Sequence, residues 1–163
     1  MKKSTFILYV ILGGLGFFSC RMQDTSQQEH IPDVPLIDIA KGDITKLVYP
    51  ETAAVIILSA YDCPSCLQRV HGLFTTGQLN RLGIPVLTIV STPYRQSARK
   101  LQEKLSLSAA LYADTLQVLD ETLGREGKPM LLLVRKRTIL QRYIIDHSLN
   151  YDAVLQKANS LRE

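Results

Sequence analysis

Apolar residues along the chain fall into short continuous runs, and these alternate with stretches of helical periodicity. Three runs, at 53–59, 85–91 and 129–134, are largely apolar, and the first is rich in β-branched residues, which is typical of strands buried on both faces. The stretches 65–80 and 94–105 carry apolar residues at helical spacing on one face and polar residues elsewhere. The pattern therefore predicts a buried sheet covered by helices.

Weaker patterns complete the order of elements. Further strands are expected at 36–39, 109–113 and 139–145, and further helices at 115–123 and 151–161. From residue 53 onward the predicted order is β-α-β-α-β-α-β-β-α. Strands that alternate with helices indicate an α/β class protein with a largely parallel core sheet, and the final pair of strands adds an antiparallel hairpin.

The N-terminus has the layout of a signal peptide. Two lysines precede a 13-residue, largely apolar stretch at 6–18, which is too short for a comfortable membrane span. Ser19-Cys20 follows and resembles the lipobox of bacterial lipoproteins, which implies cleavage after residues 1–19 and a lipid on Cys20. An ordinary secretory signal or an uncleaved anchor remains an alternative. The polar segment 20–35 predicts a flexible tether that joins the lipid to a domain at 36–163.

Composition and charge are those of one globular domain. The chain has 163 residues, of which 46% are hydrophobic and 21% charged. Lys2 and Lys3 account for two of the four net positive charges, and both belong to the predicted signal peptide. The remaining basic residues are scattered, so nucleic acid is not an expected partner.

The cysteines carry the candidate chemistry. Of three cysteines, Cys20 is assigned to the lipid, which leaves Cys63 and Cys66 in a C-x-x-C motif between a strand and a helix. A disulfide between them would close a very short loop and would stabilise the fold little, so a reactive dithiol is the better explanation. Unpaired N–H groups and the helix dipole lower the pKa of the first cysteine, which predicts that Cys63 attacks and Cys66 resolves. Pro64 suits the first helical turn, and Ser65 can offer a hydroxyl.

A strand, the C-x-x-C motif and a helix, with Lys128-Pro129 before a later strand, resemble the thioredoxin family. The additional strand at 109–113 and the helix beside it resemble the membrane-tethered TlpA/ResA-like proteins and the related AhpC/TSA proteins. The resemblance implies a thioredoxin-like three-layer α/β sandwich with an extra α/β insertion. It also implies that Pro129 is in cis and faces the dithiol, and that the backbone of Lys128 contacts the partner's chain.

The same resemblance implies a function. The chain is expected to be a lipid-anchored thiol–disulfide oxidoreductase of the cell envelope, facing the periplasm and using no cofactor. Its expected partners are the thiols or disulfides of exported proteins and a membrane thiol electron carrier. Tethered relatives of this kind favour the direction of disulfide reduction.

Three features depart from the family pattern. The chain contains no tryptophan, so the aromatic residue that usually precedes the motif is absent, and Asp62 stands there instead. Ile57 occupies the position of the buried acid that accepts a proton in thioredoxin, and Asp62 or Glu51 are the alternative acceptors. An acid beside Cys63 raises the pKa of the thiol by like-charge repulsion, which opposes the helix dipole and leaves the redox potential open.

Other functions remain open on this sequence. Cys63, Cys66 and His147 loosely resemble the copper-binding Sco-type proteins, and thiolates with an imidazole suit Cu(I), although the Sco cysteines have a wider spacing. A peroxidase is a second alternative, but the residues before Cys63 do not match the peroxiredoxin motif. A redox-inactive binding module on the thioredoxin fold is the third. No convincing zinc ligand set is present.

Overall fold

The computed structural model describes residues 29–162, so the predicted signal peptide, Cys20 and the first part of the tether lie outside the described residues. A seven-stranded mixed sheet forms the centre, and helices lie on both of its faces. The strands are β1 (Pro35–Asp38), β2 (Ile44–Lys46), β3 (Thr52–Ser59), β4 (Val86–Ser91), β5 (Ala110–Asp114), β6 (Met130–Arg135) and β7 (Thr138–Ile144). The helices are α1 (Pro64–Thr75), α2 (Arg95–Leu105), α3 (Val118–Leu123) and α4 (Tyr151–Ser160), with a 3₁₀ turn at Leu79–Leu82.

The three apolar runs of the sequence form the middle of the sheet. The strand order is β2-β1-β5-β4-β3-β6-β7. β3, β4 and β5 are parallel, whereas β6 is antiparallel to β3 and to β7. The predicted parallel core and its terminal hairpin are therefore confirmed. Among residues 29–162, no helix is both long and apolar enough to cross a membrane.

Side-chain alternation along β3 divides the core into two layers. Ile56 and Leu58 point to the face covered by α1, α2 and α4, and Val55 and Ile57 point to the opposite face, which α3 covers. All four side chains are fully buried. The three-layer sandwich predicted from the sequence is thus confirmed.

The predicted tether is too long at its C-terminal end. Ile31 is fully buried, and its N–H donates to the carbonyl of Arg137 at 2.9 Å. Val34 is also buried in the same apolar cluster as α3. Ile31 and Val34 therefore pack on the α3 face of the sheet, where their burial removes apolar surface from water. Residues 29–35 therefore belong to the domain.

Other element boundaries also differ from the predictions. The helix expected at 65–80 ends at Thr75, and the 3₁₀ turn follows as a separate element. α3 begins at Val118 rather than at residue 115, because the Asp114 carboxylate accepts a hydrogen bond from the Leu119 N–H at 2.8 Å and sets the first turn. The edge strand β2 was not predicted. Its Ile44 side chain is 76% exposed, so it contributes no apolar core pattern.

The topology brings the candidate chemistry to one edge of the sheet. The parallel strands β3, β4 and β5 all end at this edge, and α1 begins there directly after β3. Because β6 is antiparallel to β3, its first residue also lies at this edge, where Met130 pairs with Ile57. Cys63 and the turn that carries Pro129 therefore lie together, although Cys63 and Pro129 are 66 positions apart in the sequence.

Candidate active site

Cys63 and Cys66 form a disulfide at the N-terminus of α1, with their Cα atoms 5.2 Å apart. Cys63 is the N-cap residue, and its Sγ accepts a hydrogen bond from the Cys66 N–H at 3.2 Å. Pro64 occupies the first helical position, where no backbone donor is missed. Cys66 is 4% exposed, whereas Cys63 is half-buried. The sulfur of Cys63 is therefore the one that a partner can reach, as the sequence predicts for the attacking cysteine.

Ser65 places a second polar group beside the same sulfur. Its side chain is exposed, and Oγ lies 3.6 Å from Cys63 Sγ. In the reduced protein, this hydroxyl and the Cys66 N–H are both donors to a thiolate on Cys63. The site therefore favours the charged form of the Cys63 thiol through hydrogen bonds as well as through the helix dipole.

The turn before β6 lies directly against the dithiol loop, as the resemblance predicted. The Cys63 N–H donates to the Gly127 carbonyl at 3.2 Å. Gly127 has a φ of +66°, a left-handed conformation that a residue without Cβ adopts at little cost. Pro129 is buried, and its carbonyl accepts from the Ile145 N–H at 2.8 Å, which anchors the turn to the residue that follows β7.

The prediction that Pro129 is in cis is wrong. Residues 29–162 contain no cis peptide bond, so the Lys128–Pro129 bond is trans. Trans is the favoured isomer before proline by roughly 0.5–1 kcal/mol. Here the Lys128 carbonyl is also satisfied, because it accepts a hydrogen bond from Arg125 Nη1 at 3.2 Å. The backbone of Lys128 is thus partly engaged within the chain, whereas the resemblance assigned it to the partner.

The side chain of Lys128 pairs with Asp146, with Nζ 3.5 Å from Oδ2. Its charge is therefore shared with a carboxylate instead of being directed only at Cys63. Asp146 also accepts hydrogen bonds from the Ser148 N–H and hydroxyl, at 2.9 and 2.6 Å. These bonds, and to a smaller extent Lys128, lower the pKa of Asp146 to about 2.

Asp146→Asn is expected to reduce the stability difference between neutral and acidic solution. The folded-state pKa of Asp146 is about 2 and its ordinary value is 3.8, so the unfolded chain binds the proton first as the pH falls. The stability contributed by this carboxylate is therefore present above about pH 4 and is lost as the pH falls through about 2. Urea unfolding over this range checks the prediction, and Asp152→Asn, on the exposed side of α4, controls for the loss of one charge. An equal effect of Asp146→Asn at both ends of the range would contradict it.

Asp62, immediately before Cys63, is the acid of a buried ion pair. Its Oδ1 and Oδ2 lie 3.1 Å from Nη2 and Nη1 of Arg125, and the two side chains are each 1% exposed. Oδ2 also accepts the Ser59 N–H at 2.8 Å. Burial raises the pKa of Asp62, and the Arg125 guanidinium opposes that rise. The two-pronged geometry is the one that stabilises an ionised carboxylate. The negative charge of Asp62 is therefore compensated by Arg125. The sequence had led us to expect that this charge would raise the pKa of the Cys63 thiol.

Arg125 also donates to three other groups in the neighbouring segments. Nη1 also donates to the carbonyls of Ile57 and Lys128, at 2.9 and 3.2 Å, and Nε donates to Asp120 Oδ1 at 2.6 Å. No pattern in the sequence had pointed to Arg125. An acid at the start of a helix beside a buried strand indicates that a cation lies nearby. The sequence offered no motif that distinguished Arg125 from the other basic residues as that cation.

The remaining candidate proton acceptors are separated by the fold. Ile57 is fully buried in an apolar cluster, so the position of the usual buried acid is part of the hydrophobic core. Glu51 lies at the opposite end of β3, where its side chain is 69% exposed and pairs with Lys136. Of the two acids considered from the sequence, Asp62 is therefore the one that lies at the dithiol.

The histidines do not join the cysteines. His147 is exposed after β7, and His71 Nδ1 lies 3.0 Å from the Leu105 carbonyl, on the α2 side of α1. Among residues 29–162, no three His, Cys, Asp or Glu side chains lie together in a way that could hold a metal ion. The described part of the chain therefore gives the copper alternative no assembled ligand set.

Comparisons with known proteins give similarity at the level of structure. No protein-family model matches the sequence, and no curated protein matches it. A candidate thiol:disulfide interchange protein DsbE from Chlorobium tepidum superposes with a TM-score of 0.66 at 16% identity, over 83% of this chain and 97% of that chain. The thioredoxin domain of a thiol–disulfide oxidoreductase from Bacteroides vulgatus gives 0.62 at 17% identity, over 81% and 97%.

A third similar structure is a secreted Mycobacterium tuberculosis disulfide oxidoreductase homologous to E. coli DsbE. It gives a TM-score of 0.57 at 11% identity, over 78% of this chain and 96% of that chain. All three superpositions cover nearly the whole of the other chain, so the similarity extends through the domain and is not limited to the C-x-x-C helix. Together with the sheet order described above, they show that this chain has the thioredoxin-like fold.

Proposed function

We propose that the chain is an extracytoplasmic thiol–disulfide oxidoreductase that reduces disulfides of exported proteins through Cys63 and Cys66. The observation that carries the proposal is the state of the two sulfurs. They are bonded to each other at the start of α1, one is half-buried and hydrogen-bonded to a backbone N–H, and the other is buried. A reachable sulfur with a buried partner three residues away has the arrangement that disulfide exchange requires.

The exchange proceeds in two displacements. The Cys63 thiolate attacks one sulfur of the substrate disulfide, forms a mixed disulfide and releases the other substrate sulfur as a thiolate. Cys66 then loses its proton to solvent and attacks the sulfur of Cys63. This step forms the Cys63–Cys66 disulfide seen in the structure and releases the second substrate thiolate. Two electrons pass from the dithiol to the substrate, and a membrane thiol carrier returns the protein to its reduced form.

The surface around the dithiol supports a protein substrate. Tyr61, Tyr94 and Leu116 follow the ends of β3, β4 and β5, and they are 75%, 66% and 65% exposed. Large apolar side chains exposed at one edge of a sheet are characteristic of interaction surfaces. Because Cys63 opens at the same edge, a polypeptide that docks there brings its disulfide to the reactive sulfur.

The location is proposed from the N-terminus and from one structural relative. The apolar stretch before Cys20 supports export, and Ser19-Cys20 supports a lipid anchor at the cell envelope on the periplasmic side. The similar Mycobacterium tuberculosis protein is a secreted disulfide oxidoreductase. The proposed tether then has about nine residues, 20–28, between the lipid and the domain. A tether of this length would keep the dithiol close to a membrane electron carrier.

Catalysis of insulin reduction tests the proposed function. With dithiothreitol as the electron donor, the protein is expected to accelerate the precipitation of the insulin B chain, and a thiol titre is expected to show one reversible disulfide. A double variant, Cys63→Ala with Cys66→Ala, is the matched control, because it removes both sulfurs and leaves the surface intact. Equal rates with the wild type, the double variant and dithiothreitol alone would reject the proposal.

A further inference from the structure

We propose that Arg125 is a positioning residue that sets the thiolate fraction of Cys63, and with it the reduction potential of the dithiol. It does so by compensating the charge of Asp62 and by holding the two loops that form the site. The proposal deepens the function proposed above and rests on Cys63 being the attacking thiol. Arg125 touches neither sulfur in the hydrogen-bonding pattern of residues 29–162, so its effect passes through its neighbours.

The guanidinium joins the backbone on both sides of the dithiol. Nη1 and Nη2 both donate to Asp62, whose neighbour is Cys63, and Nη1 also donates to the carbonyl of Lys128 in the facing turn. The Cys63 N–H in turn donates to Gly127 in that turn. A single side chain therefore fixes the distance between the dithiol loop and the turn before β6. Nη1 also donates to the Ile57 carbonyl, which ties the guanidinium to the central strand β3.

The charge of the ion pair is the second part of the effect. Ionised Asp62 on its own would disfavour a thiolate on the next residue, and a lone Arg125 would favour it. Together they cancel at the dithiol. Because both side chains are 1% exposed, removing Arg125 leaves ionised Asp62 without a cation in a region of low dielectric, and removing Asp62 leaves Arg125 paired with Asp120 alone.

The other charged groups at this edge make contacts of their own, and among the described side chains Asp114 is fully buried with its Oδ1 unpartnered. Asp120 pairs with Arg125 Nε and is 28% exposed, so water screens it. Lys128 pairs with Asp146, and the carboxylate of Asp114 accepts the N–H of Leu119. Substitutions at Asp62 and Arg125 leave the Lys128–Asp146 pair and the Asp114 hydrogen bond in place, but Arg125→Met also removes the cation from Asp120, which is partly exposed to water.

Opposite single substitutions are expected to have opposite effects. Asp62→Asn keeps an acceptor for the Ser59 N–H but leaves the Arg125 charge, so it should lower the pKa of Cys63 by about one unit, a tenfold rise in the thiolate ratio. Arg125→Met leaves ionised Asp62 and should raise the pKa by about as much. A more stable thiolate stabilises the reduced form, so the reduction potential should rise in the first variant and fall in the second.

Two further variants separate charge from shape. The double variant Asp62→Asn with Arg125→Met carries neither charge, and the pKa of Cys63 should return most of the way to the wild-type value. Arg125→Lys keeps the positive charge but cannot make the two-pronged contact, so it should stay closer to the wild type than Arg125→Met does. A role limited to folding would move the single variants in the same direction or leave the pKa unchanged.

The experiment titrates Cys63 in the full chain. For this titration every protein carries Cys20→Ser and Cys66→Ala, so that Cys63 is the sole cysteine. The rate of iodoacetamide alkylation is measured against pH. Reduction potentials are measured against glutathione in the corresponding proteins that retain Cys66. Circular dichroism verifies the fold. Opposite shifts for the two single variants, with recovery in the double variant, support the proposal, and shifts in one direction or none overturn it.

Two safeguards make the outcome decisive. If Arg125→Met does not fold, the Asp62→Asn variant decides: a fall in the pKa of Cys63 supports the proposal, and a rise or no change contradicts it. Alkylation and glutathione equilibration require no protein substrate. A failure of insulin reduction would therefore count against the proposed function and leave the test of Arg125 intact.

Discussion

Cys66→Ala is expected to convert the protein into a trap that holds its partners as stable mixed disulfides through Cys63. The first displacement still takes place, because the Cys63 sulfur is half-buried and reachable at the start of α1. The second displacement cannot take place, because it requires the thiol of residue 66. The mixed disulfide therefore accumulates in the variant, whereas the wild type releases it within one turnover.

Cys63→Ala is the matched control for this trap. It retains one thiol of the same motif, but Cys66 is 4% exposed and should capture little or nothing. Both variants carry Cys20→Ser, so that no other cysteine can form an adduct. Non-reducing electrophoresis of cell-envelope extracts, followed by mass spectrometry of the adducts, gives the result. Capture by Cys63→Ala at a level equal to that of Cys66→Ala would contradict the assigned roles and favour two incidental thiols.

Continuous apolar runs made the centre of the fold predictable. β3, β4 and β6 are nearly completely buried, so almost every position must be apolar, and this constraint is visible without any knowledge of the neighbours. The periphery does not follow from such a pattern. β2 is three residues long and mostly exposed, and Ile31 is buried by residues that are distant in the sequence. Neither leaves a periodic signal in the sequence.

The local part of the site was equally predictable. The C-x-x-C motif, its helix and the turn at Gly127 follow from strand–helix order and from the family resemblance, and the structure brings them together. The isomer of the Lys128–Pro129 bond did not follow from the resemblance, and neither did the contact that the Lys128 carbonyl makes. In this chain the contact comes from Arg125, which the sequence alone did not single out.

The electrostatic balance at Cys63 did not follow from the residues adjacent to it in the sequence. Asp62 beside Cys63 suggests an unfavourable charge, but its partner Arg125 lies 63 positions later in the chain. Only the antiparallel placement of β6 next to β3 brings the segment before β6 to the end of β3. Long-range pairing therefore compensates the charge of Asp62 beside the thiol, and the contribution of the ion pair to stability can be measured as well as its contribution to redox chemistry.

Arg125→Met is expected to lower the free energy of unfolding by about 3–5 kcal/mol at neutral pH, because it leaves a buried carboxylate without its cation. Asp62 retains only the Ser59 N–H as a partner, and burial then raises its pKa further above the unfolded value of 3.8. Below that unfolded value the carboxyl is protonated in both states and the penalty is absent. The penalty grows as the pH rises through the folded-state pKa and is complete above it.

Urea unfolding at about pH 4 and about pH 7 measures this difference. The double variant Asp62→Asn with Arg125→Met should regain most of the lost stability at neutral pH, because it buries no unpaired charge. Equal losses at both pH values, or a double variant as unstable as the single one, would contradict this origin. The stability penalty and the shift in the Cys63 pKa both come from ionised Asp62, so they should appear together. Lost stability with an unchanged Cys63 pKa would mean that Arg125 serves the fold alone.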